Sequence, residues 1–229
     1  MILSNIPIYW INLNRSPDRK QKMINQLNEY NIKNNKRIEA IDGLEFDNEL
    51  YCKTHNVKSD LSPFELCCTL SHLKAIETAY NDNQSLVLIM EDDCSFEYLK
   101  YKNKTLQELI NIFNNWDIIQ LAICCRPDHN ARIAKTKELL IKRNYSCATC
   151  YLINRNCMYK ILNRKFQIGT SEDTIYKNNI VYMTKPYMTY YYSNEYSSTI
   201  HNMGDNSKQT KYKREDESKK FWDNYYKNL

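Results

Sequence analysis

Three carboxylates stand in a row at Glu91-Asp92-Asp93, directly after the apolar run Ser85-Leu86-Val87-Leu88-Ile89-Met90. A short unbroken run of this kind reads as a strand buried on both faces, and such strands belong in parallel sheets covered by helices. In open α/β sheets ligands collect outside the carboxyl ends of the strands, so the three acids occupy the expected place for a site. Adjacent anions repel one another, and a divalent cation is the direct way to neutralise them. Hard oxygen ligands suit Mn²⁺ or Mg²⁺. Alternation along an extended strand predicts Glu91 and Asp93 on one side, as the metal pair, and Asp92 on the other. The competing reading is a solvated acidic turn that caps the next element.

Composition closes the other routes to phosphate chemistry. Only three glycines occur, Gly43, Gly169 and Gly204, far apart in the chain. That excludes a dinucleotide fingerprint, a Walker A loop and a Gly-x-Ser-x-Gly elbow, so a nucleotide must be held by a metal and by side chains. The net charge of +5 comes from 32 basic and 27 acidic residues that are scattered, not clustered. No nucleic-acid footprint is expected from that pattern. The abundance of Asn, Lys, Ile and Tyr reads as codon bias of a low-GC genome, bacterial or of a large DNA virus. Nine cysteines lie mostly within apolar runs and read as small buried hydrophobes of a reducing compartment. In Cys147-Ala-Thr-Cys150 a strand would turn the two thiols to opposite faces, away from a common metal. Pro7 and Asn12 interrupt the only apolar stretch near the start, which argues against a secretory segment. No run approaches the ~20 apolar residues of a membrane span. The expectation is a soluble, cytoplasmic protein, in the host cytoplasm if the source is viral.

The elements that must position the acids follow from local pattern. Ile8 to Leu13 is a strand by its β-branched and aromatic content. Ser16-Pro17 starts a helix whose apolar stripe is Met23, Ile24, Leu27 and Tyr30. Arg37 to Ile41 predicts a second strand, closed by the turn pair Asp42-Gly43. The polar stretch 44–61 reads as loop with room for a short helix. Ser62-Pro63-Phe64-Glu65 carries a cap, a first-position proline and a third-position glutamate, and opens a helix running to about Tyr80. Leu106, Leu109, Ile110 and Phe113 mark another helix. Asp117 to Ile123 and Cys147 to Ile153 predict strands, and Asn154 caps a helix bearing Met158, Ile161 and Leu162. Strands alternating with amphipathic helices give an α/β fold with a mostly parallel sheet, in one domain over residues 1–204. Residues 205–229 form a charged tail whose Phe221, Trp222, Tyr225 and Tyr226 share one helical face suited to docking on the domain.

The stretch Tyr9-Trp10-Ile11-Asn12-Leu13-Asn14-Arg15-Ser16-Pro17-Asp18-Arg19 resembles the opening of glycosyltransferase family 25, which includes lipooligosaccharide β-galactosyltransferases and procollagen galactosyltransferases. Further blocks agree in order: Ala40 to Gly43, Glu65 to His72, Leu88 to Asp93, and Trp116 to Leu121. Where the family has glycines around its Glu-x-Gly-Cys run, this chain has Phe64 and Cys67. The resemblance implies a GT-A-like (Rossmann-like) fold, a nucleotide-sugar donor, usually a UDP-sugar, and inverting transfer of a hexose to a hydroxyl.

The resemblance also assigns roles. It implies a cation on Asp93 and Glu91, with His201 as a late additional metal ligand, to hold the pyrophosphate of the donor. Ser171-Glu172-Asp173 resembles the segment from which GT-A enzymes take the base that deprotonates the acceptor. Asp173 is placed ahead of Glu172, and Ser171 is the expected helix cap. Asn12, Arg15 and Asp42 are candidate donor contacts at the strand ends, and Ser71 and His72 match a family block. Arg19 reads as a helix-surface or structural ion-pair residue. The expected activity is transfer of galactose or glucose to a glycan or a modified protein side chain. The alternatives are a catalytically weak nucleotide-sugar-binding module and a metal-dependent phosphohydrolase or nuclease built on Glu91-Asp92-Asp93.

Overall fold

The computed structural model describes residues 3, 6–57, 60–113, 115–136, 147–165, 167–191 and 206–229, with side chains at 206–212 and 214 excepted. The first apolar run forms β1 (Ile8–Asn12), buried throughout. Pro17 then sets the first turn of α1 (Pro17–Glu29), although the Ser16 hydroxyl makes no cap bond. Next come β2 (Asn35–Glu39) and α2 (Asn48–Thr54), the latter capped by Asp47. The Ser62/Glu65 capping box is complete, and α3 (Pro63–Asn81) follows it. After α3 lie β3 (Leu86–Glu91), β4 (Cys94–Ser95), a 3₁₀ turn (Glu97–Tyr101) and α4 (Leu106–Asn111). The remainder comprises β5 (Ile118–Gln120), α5 (Pro127–Ala134), β6 (Cys150–Asn154), α6 (Arg155–Leu162), α7 (Ser171–Tyr176), β7 (Val181–Met183), β8 (Thr189–Tyr190) and α8 (Asn206–Lys227).

Six strands form the central sheet in the order β2-β1-β3-β6-β5-β7. All run in one direction except β6, which is antiparallel to both of its neighbours. This is a mostly parallel, Rossmann-like sheet with helices on both faces. Side chains of β3 divide strictly by alternation. Leu88 and Met90 pack on the face covered by Met23 and Leu27 of α1. Val87 and Ile89 pack on the other face, against Ala75, Ile76 and Ala79 of α3 and Met158 and Ile161 of α6. Because β6 runs backwards, its first residues lie at the same edge as the last residues of β1 and β3, and the Glu91 N–H donates to Thr149 O at 2.8 Å.

Several boundaries differ from the sequence pattern. The second strand is 35–39, not 37–41, since the chain turns away once Ala40 N–H has bonded Asn12 O. The strand expected over 117–123 keeps only Ile118–Gln120, because Leu121 and Ala122 both turn their N–H groups to Cys150 O. That bond also marks the start of β6, three residues later than the expected Cys147. The aromatic tail face is buried. Trp222 and Tyr226 sit in a third cluster with Tyr98, Ile123, Ile133 and Met183, and Trp222 Nε1 donates to Asn130 Oδ1 at 3.1 Å.

Candidate active site

At the carboxyl end of β3 the three acids separate. Asn12 ends β1 on the α1 face of the sheet, and its amide donates to Asp92 Oδ2 at 2.6 Å and to Ser16 O at 3.2 Å. Its carbonyl oxygen accepts from Arg37 Nε at 2.9 Å. Arg19, projecting from α1, pairs with Asp92 Oδ1 and lies 3.0 Å from Asp93 Oδ2. Both Arg19 and Asp92 are buried. Burial pushes the Asp92 carboxyl up against the opposing pull of Arg19. Asp93 leaves 34% of its side chain exposed, yet its Oδ1 is shut off from solvent and accepts no hydrogen bond among the described residues. Desolvation, opposed by Arg19 and reinforced by Glu91 and Asp92, pushes the Asp93 carboxyl up to about 7.

Alternation places Asp93 on the Glu91 side of the strand; in the fold its carboxylate meets Arg19, within reach of the Glu91 charge. Alternation holds through Glu91, the last residue of β3, and puts Asp92 on the opposite face as anticipated. The chain then turns at Asp92-Asp93, so Asp93 joins Asp92 on Arg19. Arg19 is accordingly a buried ion-pair residue and not part of the helix surface.

Glu91 faces α3. Its Oε1 lies 3.0 Å from His72 Nε2, and His72 Nδ1 lies 3.2 Å from the Tyr151 hydroxyl. Burial pushes the Tyr151 phenol well up, so the hydroxyl keeps its proton. Tyr151 meets Tyr176 of α7 edge-on at 6.1 Å, and Tyr176 donates to Cys147 O at 2.8 Å. A continuous line of side chains thus joins the end of β3 to α7. Cys68, one turn before His72 on α3, brings its Sγ to the same place: the ligand atoms of Cys68, His72 and Glu91 all lie within 4.8 Å of one another. The sequence reading gave Cys68 no role, although its i,i+4 spacing to His72 was a usable signal.

The remaining candidates are distributed around this edge. Arg15 Nε donates to Asp42 Oδ2 at 2.5 Å in a partly exposed pair. Burial works to raise the Asp42 carboxyl, but the Leu44 N–H and Arg15 outweigh it and hold it below its ordinary value. The Ser71 hydroxyl is committed within the fold, donating to Cys67 O at 2.6 Å and accepting from Ile41 N at 2.9 Å. α7 is fixed to α3 by Thr69, whose hydroxyl donates to Gly169 O at 3.0 Å. Its cap is Thr170, which accepts from Asp173 N at 3.3 Å, and not the expected Ser171. Glu172 is half-buried and Asp173 exposed. His201 lies outside the described residues.

Residues 5–176 match the family model described as glycosyltransferase family 25 (LPS biosynthesis protein). The chain belongs to glycosyltransferase family 25. A curated relative, a glycosyltransferase 25 family member of Aedes aegypti, is 29% identical over 171 residues, 69% of this chain. The alignment covers 28% of that relative's length. Among solved structures, the crystal structure of A197 from STIV gives a TM-score of 0.44 at 10% identity, covering 80% of this chain and 83% of that one.

In this family 25 chain the blocks that carry the resemblance converge on one edge of the sheet. The Tyr9–Arg19 block supplies β1, the entry to α1 and the arginine that holds Asp93. The Glu65–His72 block is the first half of α3, and Leu88–Asp93 is the end of β3. The two glycine departures are absorbed by packing. The Phe64 ring lies so close to Gly43 that a Cβ there would meet Phe64 Cδ1 at 2.7 Å. Cys67 is buried, and desolvation with the Asp42 charge pushes its thiol up to about 11. Among the described residues no helix is long and apolar enough to cross a membrane.

Proposed function

We propose that this chain is a metal-dependent inverting hexosyltransferase that moves galactose or glucose from a UDP-sugar to a hydroxyl on a glycan or a modified protein side chain. The observation that carries the reading is Asp93 Oδ1, a carboxylate oxygen withdrawn from water with no hydrogen bond among the described residues. Buried polar atoms in folded proteins are partnered, and an oxygen left in this state beside a second acid suits a cation. Mn²⁺ or Mg²⁺ held by Asp93 and Glu91 would offset the pyrophosphate charge as UDP departs.

The chain's own residues divide the remaining tasks. Arg19 fixes Asp93 through Oδ2, so the carboxylate is oriented before any ligand arrives. The partly exposed Arg15–Asp42 pair suits contacts to the uridine. Asn12 and Ser71 are assigned to the scaffold, since their polar atoms are already used inside the fold. His201 is retained as a further ligand on the family resemblance; Tyr191, ten residues before it in the sequence, donates its N–H to Asp93 O at 3.1 Å. Inversion requires a base on the face opposite the departing UDP. Asp173 takes that role, exposed on a helix locked to α3, with Glu172 as the second candidate. Nine free thiols fit a reducing compartment, the cytoplasm.

Isothermal titration of UDP, with and without Mn²⁺, tests the donor site. Binding that needs the metal, and that Asp93→Ala abolishes in a folded protein, is the expected result. Equal affinity in the variant contradicts the metal assignment.

A further inference from the structure

The three groups gathered at Cys68, His72 and Glu91 form a donor set that shares only Glu91 with the carboxylate pair proposed for the donor's cation. Cys68 and His72 sit four residues apart on α3 and so project from the same face of the helix. Glu91 arrives from the end of β3, and the three ligand atoms lie within 4.8 Å of one another. A thiolate, an imidazole and a carboxylate are a mixed soft and borderline set. Such a set disfavours Mg²⁺ and Mn²⁺ and favours Zn²⁺.

The surroundings match what such a centre requires. His72 is 1% exposed, and its Nε2 is aimed at Glu91 Oε1, 3.0 Å away. A metal ion held between them would take the place of that contact. The other ring nitrogen lies 3.2 Å from the Tyr151 hydroxyl, so an Nδ1–H can donate there and leave Nε2 as the ligating atom. In a tetrahedral zinc site neighbouring ligand atoms stand about 3.3–3.6 Å apart. The imidazole and carboxylate would therefore separate by about 0.4 Å, a small side-chain adjustment. Cys68 and Glu91 are only partly buried, which leaves one side of the triangle for a water as fourth ligand.

We infer that Cys68, His72 and Glu91 constitute a zinc-class metal site, with Tyr151 orienting the histidine. The inference goes beyond glycosyl transfer and does not depend on it. The test uses the full, untagged, reduced chain and Co²⁺ as a spectroscopic probe, with no nucleotide or sugar present. One equivalent of Co²⁺ should produce a thiolate-to-cobalt charge-transfer band that Zn²⁺ abolishes. The band should disappear in Cys68→Ser, weaken at least tenfold in apparent affinity in His72→Gln, and persist in Asp93→Asn. Absence of the band in the unaltered chain overturns the site, as does a band that survives Cys68→Ser. Should the variants fail to fold, the unaltered chain still decides the matter. Zn²⁺ must protect Cys68 from alkylation while Cys52 stays reactive; equal labelling of Cys68 with and without Zn²⁺ overturns the assignment. Glu91 is common to both proposals, but no measurement here involves UDP or sugar and none in the transferase test involves Cys68 or His72, so the failure of one is distinguishable from the failure of the other.

Discussion

One guanidinium nitrogen of Arg19 serves both Asp92 and Asp93, pairing with Asp92 Oδ1 and lying 3.0 Å from Asp93 Oδ2. Asp92 is therefore an internal anchor for the arginine that positions Asp93. Removing one partner of a buried ion pair leaves the other charge poorly compensated. Asp92→Ala is expected to lower stability by about 2–4 kcal/mol, less than the full loss of a buried pair because Arg19 retains Asp93. Urea denaturation measures this, and a loss below about 0.5 kcal/mol, the size of a surface change, would contradict the anchoring role.

Asp173→Asn separates catalysis from capping. Thr170 supplies the cap of α7, so the substitution should leave stability nearly unchanged. If Asp173 accepts the acceptor's proton, transfer at saturating donor should fall by about 10²- to 10⁴-fold with UDP affinity preserved. Near-normal transfer would hand the role to Glu172. A parallel collapse of UDP affinity would move Asp173 to the donor side.

The tail prediction concerns the core. Trp222 is 1% exposed and bonded to Asn130, and Ser218 bonds Cys125 N and Asn130. Trp222→Ala should cost about 3–5 kcal/mol, as large-to-small core substitutions of aromatic residues do. Removing residues 205–229 should reduce stability and solubility far more than specific activity. A fully stable truncated chain that has lost transfer would make the tail an acceptor or partner element.

Cysteine reactivity should follow burial. Seven thiols are buried, while Cys52 and Cys68 are partly exposed. Desolvation pushes Cys67 up to about 11 and Cys157 up to about 12, and raises Cys94 and Cys147 well above the ordinary thiol. Native alkylation near pH 8 should therefore label Cys52 and Cys68 first, with the seven others reacting only on unfolding. Rapid labelling at Cys94 or Cys147, read by peptide mass analysis, would show that the sheet edge opens more than its packing suggests.

Much of this organisation was legible because period and punctuation agree in the sequence. The run 85–90, the Ser62/Glu65 box and the Asn154 cap each mapped onto the element they signalled. Short strands were harder. β5 ends at Gln120 because its neighbour's Cys150 carbonyl captures two successive N–H groups, a tertiary effect absent from local pattern. The separation of Glu91 from Asp92 followed from alternation, whereas the place of Asp93 did not, since alternation stops where the strand turns. For Arg19 the sequence left a helix-surface and an ion-pair reading open, because nothing local announces that Asp92 and Asp93 lie opposite it. The role of Tyr151 was hidden in the same way: its partners, His72 and Tyr176, come from two different helices.

The central claim is that the acids at the end of β3 support sugar transfer from a nucleotide donor. UDP release from UDP-galactose and UDP-glucose, followed with Mn²⁺ and again with excess chelator, tests it most directly. The account predicts metal-dependent UDP release that chelation stops and that Asp93→Ala abolishes in a folded chain. Thermal stabilisation by the UDP-sugar with no release would contradict it in favour of a binding module, and release of a nucleoside monophosphate or inorganic phosphate would contradict it in favour of a phosphohydrolase.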